Sequence, residues 1–341
     1  MQKYVKGIAK TLLFVLLFTI LYTGSRDVLR DKRESEALGV IVNQPNGTYD
    51  VILAGPSHMQ YSIQPIQLFK EQGIAACNVS TSAQSIPSSY HIIKEMIHRH
   101  DPELVVLDVF CVFQTGNYLT PARMHQAIDN FPLSRNKAEA ILDLVEEDQE
   151  EFFLNYLLYH NRWKELKRYD YRIHKEKNEK FQIITGGESF PDPFVPVKEK
   201  AEVPAVPLSY LKRLVDLCKE TDTRLLLTVI PFRADVDNNN TSGILQQQMY
   251  NTVEELAAEW GVDFINGLHH LEEMNFDFMT DMYEDSHVNV SGSHKISRFY
   301  GAYIKEHYTV TDHTNDAAYA DWHDVFDEYA ALLKEEGVDV G

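Results

Sequence analysis

The chain has 341 residues, enough for one large α/β domain with appendages or for two average domains. Its 44% hydrophobic and 24% charged residues exclude a wholly disordered, collagenous or polytopic membrane protein. With 32 basic against 51 acidic residues the net charge is −19, a field that repels polyphosphates and argues against nucleic acid as a partner.

Lys3, Lys6 and Lys10 precede an uncharged run from Thr11 to Ser25, a basic segment followed by an apolar one. The run predicts a transmembrane helix or signal anchor over residues 1–25, with Lys6 and Lys10 snorkelling to the interface. No small-x-small cleavage site follows, so the anchor is expected to be retained. Arg26, Arg30, Lys32 and Arg33 lie beyond it, and basic residues on both flanks leave the orientation open. Residues 26–47 are mostly polar and end in Asn43-Gln44-Pro45-Asn46-Gly47, which reads as a linker, with the folded domain starting near Thr48.

Strand-like runs then alternate with helical spacing. Residues 50–55 and 74–79 read as strands, Ile86, Tyr90, Ile93 and Ile97 as one helix face, and 103–109 as a third strand. Leu211, Leu214, Val215 and Cys218 mark a helix before the strand 224–230. The pair recurs as a helix over 242–259 and a strand over 262–265. Such alternation predicts an α/β fold with a mostly parallel sheet covered by helices on both faces. Cys77, Cys111 and Cys218 are widely spaced without a C-x-x-C pair and read as small buried residues.

Two segments stand outside the alternation. Residues 143–200 read as a helical insertion whose stretch 161–180 holds eight Lys/Arg against four Asp/Glu, either a solvated helix pair or a lid over the site. Residues 309–341 are acidic and place Tyr319, Trp322, Phe326, Tyr329 and Leu333 on one stripe, which predicts a terminal amphipathic helix packed on its own domain.

Gly55-Pro56-Ser57-His58 follows the first strand directly, where open α/β sheets bind ligands. Near the other end, Glu284-Asp285-Ser286-His287-Val288-Asn289 precedes a helix with Ile296, Phe299, Tyr300 and Tyr303 facing inward. A carboxylate two or three residues before a histidine supplies an orienting acid and a general base for a serine nucleophile. His98, His100, His269 and His270 lack a carboxylate cluster at metal spacing, so neither a metal nor another cofactor is expected.

Together these residues resemble the SGNH/GDSL hydrolases, and within them a membrane-anchored bacterial branch similar to acyltransferase-associated proteins of alginate acetylation and teichoic-acid alanylation. The resemblance covers roughly residues 48–308. It rests on the Gly-x-Ser-His turn, on Asn78 to Ser85, on Arg162-Trp163, and on His287-Val288-Asn289 with Gly292 and Lys295. It implies a three-layer α/β/α, flavodoxin-like fold with Ser57 as nucleophile and His287 as base. The family commonly places its acid three residues before the histidine, which here is Glu284; Asp285, two before, is the other candidate. The Gly-x-Asn-Asp block of ordinary members is replaced by Phe110-Cys111-Val112-Phe113 after the strand, so the usual asparagine donor to the oxyanion is absent. The Ser57 N–H and the Ser82-Ala83-Gln84 loop are expected to take its place, with Ser82, Gln84, His58 and Asn289 as oxyanion or pocket candidates.

The activity this implies is that of a membrane-anchored, extracytoplasmic serine esterase or O-acyltransferase on a cell-surface polysaccharide. The alternative is a non-catalytic carbohydrate-binding or assembly subunit partnering a membrane-bound O-acyltransferase.

Overall fold

The computed structural model describes residues 2–29, 36–114, 120–154, 159–171, 179–236 and 242–338. It contains five strands in one all-parallel sheet: β1 (Val51–Ala54), β2 (Ala76–Asn78), β3 (Leu104–Asp108), β4 (Arg224–Val229) and β5 (Asp263–Asn266). The sheet order is β2-β1-β3-β4-β5, so the chain moves outward from β1 to β2 and then crosses back to β3. Registers pair Leu53 with Asn78 and Val106, and Val106 with Leu226. Every residue of β1, β2 and β3 is buried, because a parallel sheet covered on both faces needs apolar side chains at consecutive positions.

Twelve α-helices occur among the described residues. They are α1 (Gln2–Leu29), α2 (Glu36–Ile41), α3 (Ser57–Ser62), α4 (Pro65–Gln72), α5 (Ile86–His100), α6 (Pro121–Ile128), α7 (Arg135–Leu144), α8 (Gln149–Phe153), α9 (Ala205–Glu220), α10 (Gly243–Trp260), α11 (Val290–His307) and α12 (Ala320–Glu335). One face of the sheet, with Val51, Leu53, Val106 and Ile265, packs on Met59 of α3, Leu68 of α4, and Ile296, Tyr300 and Ile304 of α11. The other, with Ile52, Val105, Leu107 and Leu227, packs on Ile93 and Met96 of α5, Leu211 and Leu214 of α9, and Tyr250 and Val253 of α10. Alternate strand residues thus serve opposite cores, as the two-residue period of a strand requires.

The three cysteines are free and buried, as their spacing suggested. The terminal helix α12 also docks as its stripe predicted: Trp322 lies 5.0 Å from the Phe69 ring, and the Tyr329 hydroxyl donates to Gln67 Oε1 at 3.0 Å. Helix α1 contains the one stretch among the described residues, Tyr4–Ser25, long and apolar enough to cross a bilayer, and none of it is buried in the protein.

Two expected boundaries are corrected. The segment read as a linker over 26–47 is not all extended: α1 continues to Leu29, and α2 with the residue after it buries Leu38, Ile41 and Val42 in the core, so the packed domain begins before Thr48. The insertion also begins earlier than 143. After β3 the chain makes a 3₁₀ turn over Phe110–Phe113, then α6, α7 and α8 and further 3₁₀ turns over His160–Lys164 and Arg168–Tyr171; residues 181–204 carry no helix. Residues 30–35 of the expected linker, 155–158 and 172–178 of the expected insertion and 339–341 of the terminal segment lie outside the described residues.

Candidate active site

The strand order reverses direction between β1 and β3, the place where an open parallel sheet leaves a crevice beyond its carboxyl ends. A cleft of about 490 Å³ lies there, walled by Pro56, Ser57 and His58 after β1 and by Phe110 and Cys111 after β3. Gly55 makes the first turn possible. Its φ is +152°, and a Cβ built on it would stand 2.9 Å from the Asp108 Cβ and 3.1 Å from that of Met59, so only glycine lets β1 turn this tightly over the end of β3. Pro56, at φ −78°, leads into α3 with Ser57 as its first residue.

The distant histidine meets this serine. His287 Nε2 lies 2.7 Å from Ser57 Oγ, and His287 Nδ1 lies 2.5 Å from Glu284 Oε1. A carboxylate on Nδ1 keeps the ring proton there and leaves Nε2 free to accept from the serine hydroxyl. The loop that delivers the imidazole folds on itself: Met282 and Val288 form an isolated antiparallel bridge, and the Tyr283 N–H donates to the His287 carbonyl at 2.8 Å. Both ring nitrogens are therefore engaged, and Asp285 is not the partner. Its carboxylate accepts from the Ser286 hydroxyl at 2.9 Å, while its carbonyl accepts from the Arg233 N–H at 2.9 Å.

The pocket candidates separate. His58 lines the cleft as a buried ring, 3.6 Å from Phe110 and 5.5 Å from His287 between centroids. Burial, and then the neighbouring His287, hold its pKa well below the ordinary imidazole range, so it stays neutral. Gln84 faces inward instead: its amide spans the Thr81 and Ser89 hydroxyls, each at 3.0 Å. Ser82 contributes its carbonyl, which accepts from Arg123 Nη1 at 3.2 Å. Of that loop, Ala83 borders the cleft, in left-handed conformation at φ 51°.

Asn289 is not a pocket residue. It caps α11, accepting from the Ser291 and Gly292 N–H groups at 2.9 and 3.1 Å and donating to the Thr280 and Met282 carbonyls at 2.8 and 3.2 Å. Helix-cap chemistry uses both ends of its amide.

Several residues that support the site carry no motif of their own. Asp281, fully buried, accepts from Lys295 Nζ at 2.7 Å and from the Ser291 hydroxyl at 2.8 Å, so it ties α11 to the base of the His287 loop. Arg233 is gripped by Asp235 and in turn holds the Asp285 backbone. Asp108, beneath Gly55, accepts from the Phe110 N–H at 3.0 Å, and burial pushes its pKa up to about 7. Lys295 belonged to the resemblance, but its partner Asp281 lies fourteen residues earlier, a spacing from loop to helix that no helical or strand period highlights.

A larger hollow of about 1150 Å³ runs along the outer side of α11, lined by His270, Lys295, Arg298, Phe299 and Tyr303, and includes neither Ser57 nor His287. Among the described residues no group of three or more His, Cys, Asp or Glu side chains is arranged to hold a metal ion.

Chemically, the arrangement pairs a hydroxyl with an imidazole oriented by a carboxylate. It can deprotonate Ser57 as it attacks an electrophilic carbonyl and return the proton to the leaving oxygen. Comparison with known proteins adds no family: no protein-family model matches the chain, and no curated protein matches it either.

Proposed function

We propose that this chain is a serine esterase or O-acyltransferase of the SGNH type, anchored by α1 and acting outside the cytoplasm on a cell-surface polysaccharide. The observation that carries the reading is the unbroken relay from Glu284 through His287 to Ser57, 2.5 and 2.7 Å, spanning 230 residues of sequence and opening on a cleft. The strand order, the helices on both sheet faces and the place of Ser57 just after β1 support the reading of a flavodoxin-like, three-layer SGNH domain.

In the proposed cycle the Ser57 oxygen bonds to the ester carbonyl carbon as its proton passes to His287 Nε2. Glu284 balances the imidazolium, and the proton leaves on the alcohol as the ester C–O bond breaks. The acyl-serine is then taken by water, making an esterase, or by a sugar hydroxyl, making a transferase. The Ser57 N–H, in the first turn of α3, and the Ala83 edge of the cleft are the donors this reading assigns to the developing oxyanion. The non-catalytic alternative drew its support from an acid position that departs from aspartate. Glu284 on the imidazole favours the catalytic reading over it.

The test is labelling of the full chain in detergent micelles by a neutral fluorophosphonate. Wild type is expected to label and Ser57→Ala not to; folded wild type that fails to label overturns the catalytic reading.

A further inference from the structure

The basic, aromatic stretch that follows α8 takes no part in the Ser57 cleft. Its two 3₁₀ turns, His160–Lys164 and Arg168–Tyr171, contribute no residue to the lining of that cleft and lie instead against the end of α1. Arg162 makes the junction. Its Nη1 donates to the Leu29 carbonyl at 2.5 Å and its Nη2 to Asp170 Oδ1 at 2.8 Å, while Asp170 Oδ2 accepts from the Lys167 N–H at 2.8 Å. The last carbonyls of a helix have no partner within it, so a guanidinium placed there caps α1 and fastens both turns to its end. Leu29 and Asp170 are both buried at this joint.

The joint sets the depth of the turns in a membrane. The apolar stretch Tyr4–Ser25 has 22 residues, about 33 Å of helix, which matches a hydrocarbon core of about 30 Å. Leu29 stands one helical turn, about 6 Å, further along, and headgroups occupy about 5–7 Å on each side of the core. Residues fastened to Leu29 are therefore at headgroup level when α1 crosses a bilayer.

The side chains exposed there match that layer. Trp163 and Tyr171 are 64% and 63% exposed. Amphipathic rings of this kind are enriched at the membrane interface, where the ring body meets apolar surface and the polar edge stays wet. Lys164, Lys167 and Arg168 are exposed beside them, with Glu165 as the exposed acid between. The chain as a whole, at net −19, is repelled by an anionic bilayer, yet residues 161–180 hold eight Lys/Arg against four Asp/Glu, a net of +4. Basic side chains gain attraction only within a Debye length of anionic headgroups, and the link to Leu29 holds these within it.

We propose that the two 3₁₀ turns form an interfacial platform that rests on anionic phospholipid headgroups where α1 leaves the bilayer, with Trp163 and Tyr171 in the interface and Lys164, Lys167 and Arg168 on lipid phosphates. The platform is tied to the rest of the domain. The Tyr159 hydroxyl donates to Asp129 Oδ2 at 2.9 Å, and Asp129 Oδ1 lies 2.9 Å from Nδ1 of His125 on α6. Helix α6 borders the Ser57 cleft through Arg123, so lipid contact fixes the height and tilt of that cleft over the membrane. The inference rests on α1 as a membrane anchor and is independent of the chemistry at Ser57.

The test uses the full chain in lipid nanodiscs, one set of phosphatidylcholine and one of phosphatidylcholine and phosphatidylglycerol in equal parts, with and without a headgroup-nitroxide lipid that quenches tryptophan on contact. The chain has three tryptophans, so Trp163 is read as the difference between wild type and Trp163→Phe. Trp163 is expected to lose about half or more of its emission to the nitroxide, and more in the discs that contain phosphatidylglycerol. The triple variant Lys164→Glu, Lys167→Glu, Arg168→Glu should lose that extra quenching, and about 0.5 M salt should remove it from wild type. Equal quenching of wild type and Trp163→Phe in both lipids would overturn the platform and leave this surface to a protein partner. Trp163 quenching that ignores phosphatidylglycerol, salt and charge reversal alike would overturn the assignment to anionic headgroups. Alkaline carbonate keeps the two inferences apart: extraction of the full chain from vesicles overturns the anchor and the platform with it, whereas a retained chain without Trp163 quenching overturns the platform alone.

Discussion

Glu284 Oε1 stands 2.5 Å from His287 Nδ1, whereas the carboxylate of Asp285, one residue on, turns away to the Ser286 hydroxyl. The choice follows from the loop. With Met282 bridged to Val288 and the Tyr283 N–H on the His287 carbonyl, the three-residue spacing brings acid and imidazole together, and the two-residue spacing does not. Glu284→Gln should therefore leave the fold intact while lowering kcat on a soluble aryl ester by about 10²- to 10⁴-fold, because the ring loses both its tautomer and the anion that balances its charge. Asp285→Asn should stay within a few-fold of wild type. The reverse ranking in steady-state kinetics would reassign the acid.

Gly55 offers a stability test with an internal control. At φ +152° and with a would-be Cβ 2.9 Å from the Asp108 Cβ, Gly55→Ala combines backbone strain with overpacking and should cost about 2–5 kcal/mol. Gly47 also has positive φ, +77°, but nothing within 4 Å of its would-be Cβ, so Gly47→Ala should cost only about 1 kcal/mol. Urea midpoints of the two variants measure the difference. Equal midpoints would show that the β1 turn yields to a methyl group.

The sheet was legible in the sequence because its strands are buried on both faces, which forces continuous runs such as Val51 to Ala54 and Leu104 to Asp108. The two ends of the relay were legible for a related reason: Ser57 and His287 each follow a signal of local chain direction, a glycine turn and a pre-helix loop. What escaped had no periodicity to announce it. Helix α2, six residues long, buries Leu38 and Ile41 with Val42 just beyond it, too short a stretch to show a 3.6-residue period. Helix α6 begins at Pro121, well before residue 143 where the insertion was expected to start, and its Arg123 reaches the cleft through Ser82, forty-one positions away. Asn289 was misplaced as a pocket candidate because a pre-helix asparagine serves equally as ligand or cap, and only the positions of the Ser291 and Gly292 N–H groups decide between them.

That cap yields a prediction separating stability from catalysis. Asn289→Ala removes two accepted and two donated hydrogen bonds from the junction of α11 and the His287 loop, and should cost about 1–2 kcal/mol of stability together with a fall in kcat. Asn289→Asp keeps the helix cap but loses the donors to the Thr280 and Met282 carbonyls. It should recover much of the stability while leaving kcat depressed, since those donors hold the segment that positions Glu284. Thermal melts and aryl-ester kinetics on both variants give the comparison; recovery of activity in step with stability would show that the cap alone matters.

Asp108 makes stability depend on pH in a direction opposite to that of most carboxylates. Burial is the main cause of its rise to about 7, only partly offset by hydrogen bonds from the Phe110 and Ile230 backbone. The folded chain then holds one more proton than the unfolded chain between about pH 4, where an exposed aspartate titrates, and pH 7. Stability from this group is present below the unfolded value, falls as pH rises through that window, and levels off above the folded pKa. Full ionisation costs up to about 4 kcal/mol. Asp108→Asn keeps an acceptor for the Phe110 N–H without the charge, so it should flatten the decline. The variant should gain on wild type as pH moves from 5 to 8. Urea unfolding at several pH values across this range is the measurement, and parallel curves for the two proteins would mean that Asp108 is ionised throughout, with its charge met by water or by a group on the neighbouring strands.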